Sequence, residues 1–270
     1  MTVDDIKQEW IKMGWHNYSD YAKFINNLDR SSIEEISQKL NPDSISASVF
    51  WKACDEHFGT DGVCNARGNE NPLRIESANA QNYKLFKQSC GVEMMDMVVH
   101  SIRNLTTPNG AYRPKNIIEV GCGYGAFINH YKDNITDFDY TPFDVVSRFD
   151  GVQLLNSTPQ GFFNDEFIDK NSSSVGCILC FNVMQHMSIL QVNNYLKQFS
   201  VLLHDYGYLV ISYVRTLSPP ASLLYGQLIP LMTCDEFANA IEKLGFKILI
   251  ENKQYVSGFD PYTLLCQKIK

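Results

Sequence analysis

No stretch of this chain is apolar for the roughly 20 residues that a membrane-crossing helix requires. The opening Met1-Thr2-Val3-Asp4-Asp5 lacks the charged-then-apolar pattern of a secretory leader, so a cytoplasmic protein is expected. A basic excess is also missing: 23 Lys and Arg stand against 30 Asp and Glu, a net charge of -7. With no basic tract, a protein whose main task is gripping nucleic-acid phosphates is not expected. There is no internal repeat and no low-complexity tract. Cysteine is present but metal-like cysteine spacing is scarce. Of Cys54, Cys64, Cys90, Cys122, Cys177, Cys180, Cys234 and Cys266, only Cys177 and Cys180 are spaced like ligands. Those two fall in a predicted strand, where residues three apart point to opposite faces, so they read as small buried hydrophobes.

What is there suits a packed interior: 270 residues, 44% of them hydrophobic, enough for one large domain or a core with an appendage. The rest of the chain is organised around residues 116–126, Asn-Ile-Ile-Glu-Val-Gly-Cys-Gly-Tyr-Gly-Ala. Ile117, Ile118 and Val120 read as a buried parallel strand. Gly121, Gly123 and Gly125 follow, and then Phe127, Ile128 and Tyr131 resume at helical spacing. Strand, glycine turn, helix opens a βαβ unit, and such a turn lets a ligand press against bare peptide groups beside a helix N-terminus. Gly-x-Gly-x-x-Ala formally meets the dinucleotide fingerprint, so NAD stays open on the loop alone. Glu119, two residues before the first glycine, tips the balance. It would repel a pyrophosphate but suits a cationic ligand group.

Residues 1–110 read as a helical N-terminal segment and 111–270 as the ligand-binding domain, the joint lying in the turn-rich Thr106–Arg113. In the first part, Ser32-Ile-Glu-Glu35 is a capping box, and 59–76 is a loop rich in Gly, Asn and Arg. Trp10, Trp15 and Trp51 read as packing anchors. In the second part, a strand near 138–145 carries Asp144, and a third spans 152–156 without the usual helix before it. Residues 157–174 read as a polar loop with one aromatic-acidic patch, Phe162 to Phe167. Val175 to Phe181 is continuously apolar, as a central parallel strand should be. Ile189, Val192, Leu196, Phe199 and Leu203 make a helix, and 206–214 a fifth strand. Residues 216–232 hold two prolines and no steady period. Thr233-Cys-Asp-Glu236 is a capping box opening a helix that Gly245 closes. Strands 246–250 and 263–269 complete the set.

The Glu119–Gly125 run resembles the first motif of the class I S-adenosylmethionine-dependent methyltransferases. Asp144, the 202–212 helix-end and strand, the 237–246 helix ending in Leu-Gly-Phe, and Asn182-Val-Met-Gln-His-Met187 resemble that family's later landmarks, in order. The resemblance covers about 115–270. It implies an α/β fold, a Rossmann-like seven-stranded sheet, mostly parallel with an antiparallel last strand, here with a helical N-terminal extension. It implies S-adenosylmethionine as cofactor, held by Glu119, Gly121, Gly123 and Gly125. Asp144 would meet the ribose hydroxyls, Asn156 and Ser157 the adenine, and Phe181 and Asn182 the neighbourhood of the sulfonium. The Tyr-Thr-Pro-Phe lead-in before Asp144 departs from the common pattern.

Methyl transfer from a sulfonium is an in-line displacement that needs alignment and exclusion of water. A hydroxyl acceptor also needs a base, and His186 has the address for one. Its other reading is a histidine that satisfies the first turn of the following helix. Cys180-Phe-Asn182, at the end of the fourth strand, offers no carboxylate, so metal independence is expected. Arg67 and Arg74 would hold the methionine carboxylate or an anionic substrate, or else are solvated loop arginines. Tyr213 and Tyr225 flank the insertion after the fifth strand and read as acceptor-site walls. The expected activity is transfer of methyl to a hydroxyl of a small polar metabolite, a sugar or a cell-surface precursor. The alternatives are a small amine as acceptor, a noncatalytic domain of the same fold, and an NAD-dependent oxidoreductase.

Overall fold

The structure is a computed structural model that describes residues 2–16, 20, 49, 52–53, 56–57, 96, 99–100, 115–123, 125–147, 149–155, 160–181, 183–184, 187, 189–217, 233–253 and 259–269. Most of the helical segment expected over 1–110, with its Ser32–Glu35 capping box, its 59–76 loop and Trp51, lies outside these residues. The first helix, α1 (Val3–Lys12), opens on a capping box in which the Thr2 side chain and Asp5 satisfy each other's backbone N–H groups. Its inner side buries Ile6 and Trp10, and Trp15 is buried just beyond it.

The remaining elements are β1 (Asn116–Val120), α2 (Ala126–Tyr131), β2 (Asp139–Asp144), β3 (Gln153–Leu154), α3 (Asp165–Asn171), β4 (Val175–Cys180), α4 (Ile189–Leu202), β5 (Leu203–Leu217), α5 (Cys234–Lys243), β6 (Phe246–Lys253) and β7 (Phe259–Lys268). The seven strands form one sheet in the order β3-β2-β1-β4-β5-β7-β6. Pairings from β3 through β5 are parallel. β7 runs antiparallel to both of its neighbours. The chain therefore builds outward from β1 on one side and restarts at β4 on the other. The crevice at that reversal is where open α/β sheets receive ligands.

The six residues of β4 are all buried, which is why they read as an unbroken apolar run. Alternation sorts the side chains into two cores. Ile117, Cys177, Leu179 and Val210 share one face with Phe127 and Tyr131 of α2. Ile118, Val120, Ile178, Cys180, Leu209 and Ile211 share the other with Tyr195 and Phe199 of α4 and with Phe237 and Ile241 of α5. Cys177 and Cys180 thus fall in different cores, and burial pushes both thiols up. The Thr233–Glu236 capping box forms, with the Glu236 N–H donating to Thr233 Oγ1 at 3.2 Å and the Thr233 N–H to Glu236 Oε2 at 2.7 Å. A capping side chain of this kind contributes about 1 kcal/mol. Gly245, at φ +83°, ends the helix.

One element departs from expectation. The segment 157–174 is not a polar loop throughout, because α3 occupies part of it. Asn164 Oδ1 accepts the Phe167 N–H at 2.8 Å, and Asp165 and Glu166 occupy the first turn, where the helix dipole favours acids. Phe162 and Phe163 are buried, their backbone fastened by Gln198, whose Oε1 accepts from both N–H groups and whose Nε2 donates to the Phe163 carbonyl. Phe163 stacks on Phe167 at 4.5 Å, and Phe162 on Tyr195 at 3.7 Å. The aromatic-acidic patch is a helix start pinned to the core. β5 also runs longer than expected at both ends, β6 continues to Lys253, and β7 begins at Phe259.

Candidate active site

At the reversal point, the turn after β1 is built by backbone that only glycine takes comfortably. Gly121, Gly123 and Gly125 have φ of +74°, +55° and +75°. The Gly121 and Cys122 N–H groups both donate to the Phe143 carbonyl, at 2.8 and 3.1 Å, which hooks the turn onto the end of β2. A Cβ on Gly121 would stand 2.2 Å from Val183 Cγ2, so that glycine is needed for packing as well as for its φ. A Cβ on Gly123 would meet no atom of the described residues within 4 Å. Gly123 faces open space, and its bare peptide is where a ligand can approach.

Two carboxyl groups flank this turn. Asp144, at the end of β2, is 6% exposed and turned inward onto backbone. Its Oδ2 accepts the Gly123 N–H at 2.7 Å, and its Oδ1 accepts the N–H groups of Val145 at 2.7 Å and Val146 at 3.2 Å. Glu119 lies near the end of β1 and is 4% exposed, on the sheet face that carries Ile117. The hydroxyl of Tyr140, from β2, donates to its Oε2. Burial, and then the nearby charge of Asp144, pushes the Glu119 carboxyl up to about 8, against the lowering effect of the tyrosine hydrogen bond. Burial also pushes the Tyr140 phenol up, and the Glu119 carboxyl adds to it. Tyr140 in turn stacks on Phe127 of α2, with centroids 6.0 Å apart and planes 28° apart.

Phe181, directly after β4, is buried on the same face as Glu119, in the core that contains Phe127. Met184 and Met187 are buried in the opposite core, and they bracket His186 in the chain. His186 itself lies outside the described residues, as do Asn156, Ser157, Asn182, Tyr225, Arg67 and Arg74. Tyr213 lies within them and is a packing residue. It is 1% exposed, on the face opposite Glu119, with its ring stacked 4.4 Å from Phe237 of α5. Its alternation along β5 turns it into the core, so it offers no open wall. Of the expected site residues, the structure brings Glu119, Gly121, Gly123, Gly125, Asp144 and Phe181 together around the crevice. Tyr140 was not among them. The only hint of it in the sequence is the unusual lead-in before Asp144.

Residues 98–251, more than half of the chain, match the family model described as a methyltransferase domain. Comparison with curated proteins gives no match. Among solved structures, the chain is similar to the CMeT domain of the citrinin polyketide synthase, at 13% identity and a TM-score of 0.54, covering 80% of this chain and 62% of that one. It is similar to the CurJ carbon methyltransferase at 17% identity and a TM-score of 0.50, covering 90% and 72% respectively. It is also similar to the DszA carbon methyltransferase at 13% identity and a TM-score of 0.51, covering 83% and 61%. At such identities the likeness is one of fold, and the chain spans less than two thirds of the citrinin synthase domain and of the DszA enzyme. Sheet order, glycine turn and family match agree: the chain belongs to the methyltransferase domain family, of the class I S-adenosylmethionine-dependent type.

Proposed function

We propose that this protein transfers a methyl group from S-adenosylmethionine to a hydroxyl of a small polar metabolite. The observation that carries the reading is the buried Glu119 carboxyl beside the open peptide of Gly123, at the point where the strand order reverses. The residues present fit the cofactor. Glu119 offers a carboxyl in a dry site, where its attraction for a cation, once ionised, is strongest. Gly123 offers space. Asp144 ends β2 at the same crevice, its carboxylate held in place by three backbone N–H groups, and is proposed to meet the ribose hydroxyls. S-adenosylmethionine, when bound, supplies a methyl group made electrophilic by its sulfonium.

Glu119, Gly121, Gly123, Gly125 and Asp144 are proposed to hold it, with Asn156 and Ser157 on the adenine and Phe181 and Asn182 beside the reacting centre. His186 is proposed as the base that takes the acceptor's proton, without a metal ion. The buried Met184 and Met187 support that role by fixing the ends of its segment beside β4. Residues 1–110 and the 216–232 insertion are proposed to cover the acceptor, with Tyr225, Arg67 and Arg74 facing it.

A carbon acceptor is the second reading, favoured by the likeness in fold to the CurJ and DszA carbon methyltransferases. A panel of hydroxyl, amine and carbon-acid acceptors, assayed with methyl-labelled S-adenosylmethionine, separates the two. Label on oxygen is expected. His186→Ala should lower that turnover by roughly two to four orders of magnitude and remove the limb that rises with pH through the histidine's pKa. Label on carbon or nitrogen, or an intact limb in the variant, would overturn the hydroxyl reading.

A further inference from the structure

The feature that methyl-transfer chemistry leaves unexplained is Tyr140. A phenol in the middle of a strand beside an apolar core is an expensive choice unless its hydroxyl has a task, since an unsatisfied buried hydroxyl costs several kcal/mol. Here the hydroxyl is directed at Glu119. The β1–β2 register sets this up: Tyr140 pairs with Ile117 and Pro142 with Glu119, so the tyrosine sits two residues back on the carboxyl's own face. Its ring is held against Phe127, on the helix that follows the glycine turn. The hydroxyl is thus fixed to the same scaffold as the turn, and Glu119 is fixed to the hydroxyl.

We propose that Tyr140 is a positioning residue that makes occupation of this site proton-linked. In the resting protein its hydroxyl donates to a neutral Glu119 carboxyl. When a cationic group of the ligand arrives, Glu119 gives its proton to solvent and becomes the counter-ion, and the same tyrosine hydroxyl now donates to the carboxylate. One O–H bond breaks, one hydrated proton appears in solution, and the charge of the pair falls by one as the ligand's cation is neutralised.

The surroundings favour the neutral form until then. Burial raises the carboxyl, Asp144 from the end of β2 raises it further, and Tyr140 opposes both. Of the other titratable groups nearby, Cys180 on β4 is a thiol that burial and Glu119 itself keep protonated, and Cys122 of the turn adds to the upward push on the Tyr140 phenol. A buried carboxyl of this kind takes up charge only when a partner compensates it. The site would thus discriminate for cations through a group that is silent when the site is vacant.

This inference rests on the proposed cofactor. It is tested by titrating the full chain calorimetrically with S-adenosylhomocysteine, in buffers of different ionisation enthalpy, between about pH 6 and 8.5, with the ligand's own ammonium titration measured separately and subtracted. Wild-type protein should release about one proton per ligand at neutral pH, and its affinity should rise with pH up to about 8. Glu119→Gln should release none and show no such rise. Tyr140→Phe should bind about one to two orders of magnitude more weakly at neutral pH, the scale of a hydrogen bond to a charged group, with the rise moved to higher pH. A packing role alone would weaken binding equally at every pH.

Wild-type binding with no proton release and a flat pH profile would overturn this inference and leave the cofactor reading standing. No binding of S-adenosylhomocysteine at any pH would overturn both. The proton count on wild-type protein decides the question even if Tyr140→Phe folds poorly.

Discussion

The ends of β1 and β2 carry one buried carboxyl each, side by side, and treat them in opposite ways. Asp144 is answered by three backbone N–H groups and acts as a clamp, tying the glycine turn to the start of the next loop. Glu119 meets one tyrosine hydroxyl, and desolvation keeps it neutral until about pH 8. Two acids of the same chemistry, both under a tenth exposed, therefore divide the labour. One is held by the fold's own backbone donors, and the other has a charge that a ligand brings out at neutral pH. Backbone donors make a carboxylate structural, and their absence beside an open peptide makes it a recognition group.

Substitutions around the two strand ends test that division, and the largest effect belongs to the turn between them. Gly121→Val brings a branched side chain into a left-handed position and into Val183. The cost should be on the order of 3 kcal/mol, with binding of S-adenosylhomocysteine abolished. Thermal melting and calorimetry measure both. Asp144→Ala strands three backbone donors, so a loss of about 2 kcal/mol and a fall in Tm of roughly 4–8 °C are expected, before any effect on ligand.

Gly123→Ala should separate binding from stability. Its φ of +55° costs an alanine about 1 kcal/mol, yet none of the described residues blocks the added methyl. A small change in Tm with a loss of ligand binding is expected, and retained binding would show that the open space is not the ligand's.

The smallest effect on stability should come from Glu119→Gln at neutral pH, where the carboxyl it replaces is already uncharged. Its signature is in the pH dependence. The folded-state pKa lies above the ordinary value of 4.5, so the contribution of Glu119 to stability is complete below that value and is lost as pH rises through about 8. In ligand-free wild-type protein this part of the stability should fall between about pH 5 and 9. The variant should lack it. An identical pH–Tm profile in the two proteins would place the Glu119 pKa back in the usual range.

Much of this was legible in the sequence, for identifiable reasons. β1 and β4 are buried on both faces and so read as apolar runs, and Gly121, Gly123 and Gly125 stand where the chain must take positive φ. The capping box at Thr233 is a local device and reads locally. What escaped depends on distant partners or short length. α3 has seven residues, too few to show a period, and is held by Gln198 from another helix. Tyr213 reads as a site wall by its place after the fifth strand, but the parity of β5 turns it onto Phe237. Tyr140 reads only as an oddity, because its meaning lies in the register that sets it beside Glu119. The residues read from the family pattern at 156, 157, 182 and 186 lie outside the described structure and rest on sequence alone.

Paired titrations of the wild-type protein with S-adenosylhomocysteine and with NAD test the central claim most directly. Saturable binding of S-adenosylhomocysteine, lost in Gly121→Val and without a comparable response to NAD, is the expected result. Tight binding of NAD with no response to S-adenosylhomocysteine would contradict it.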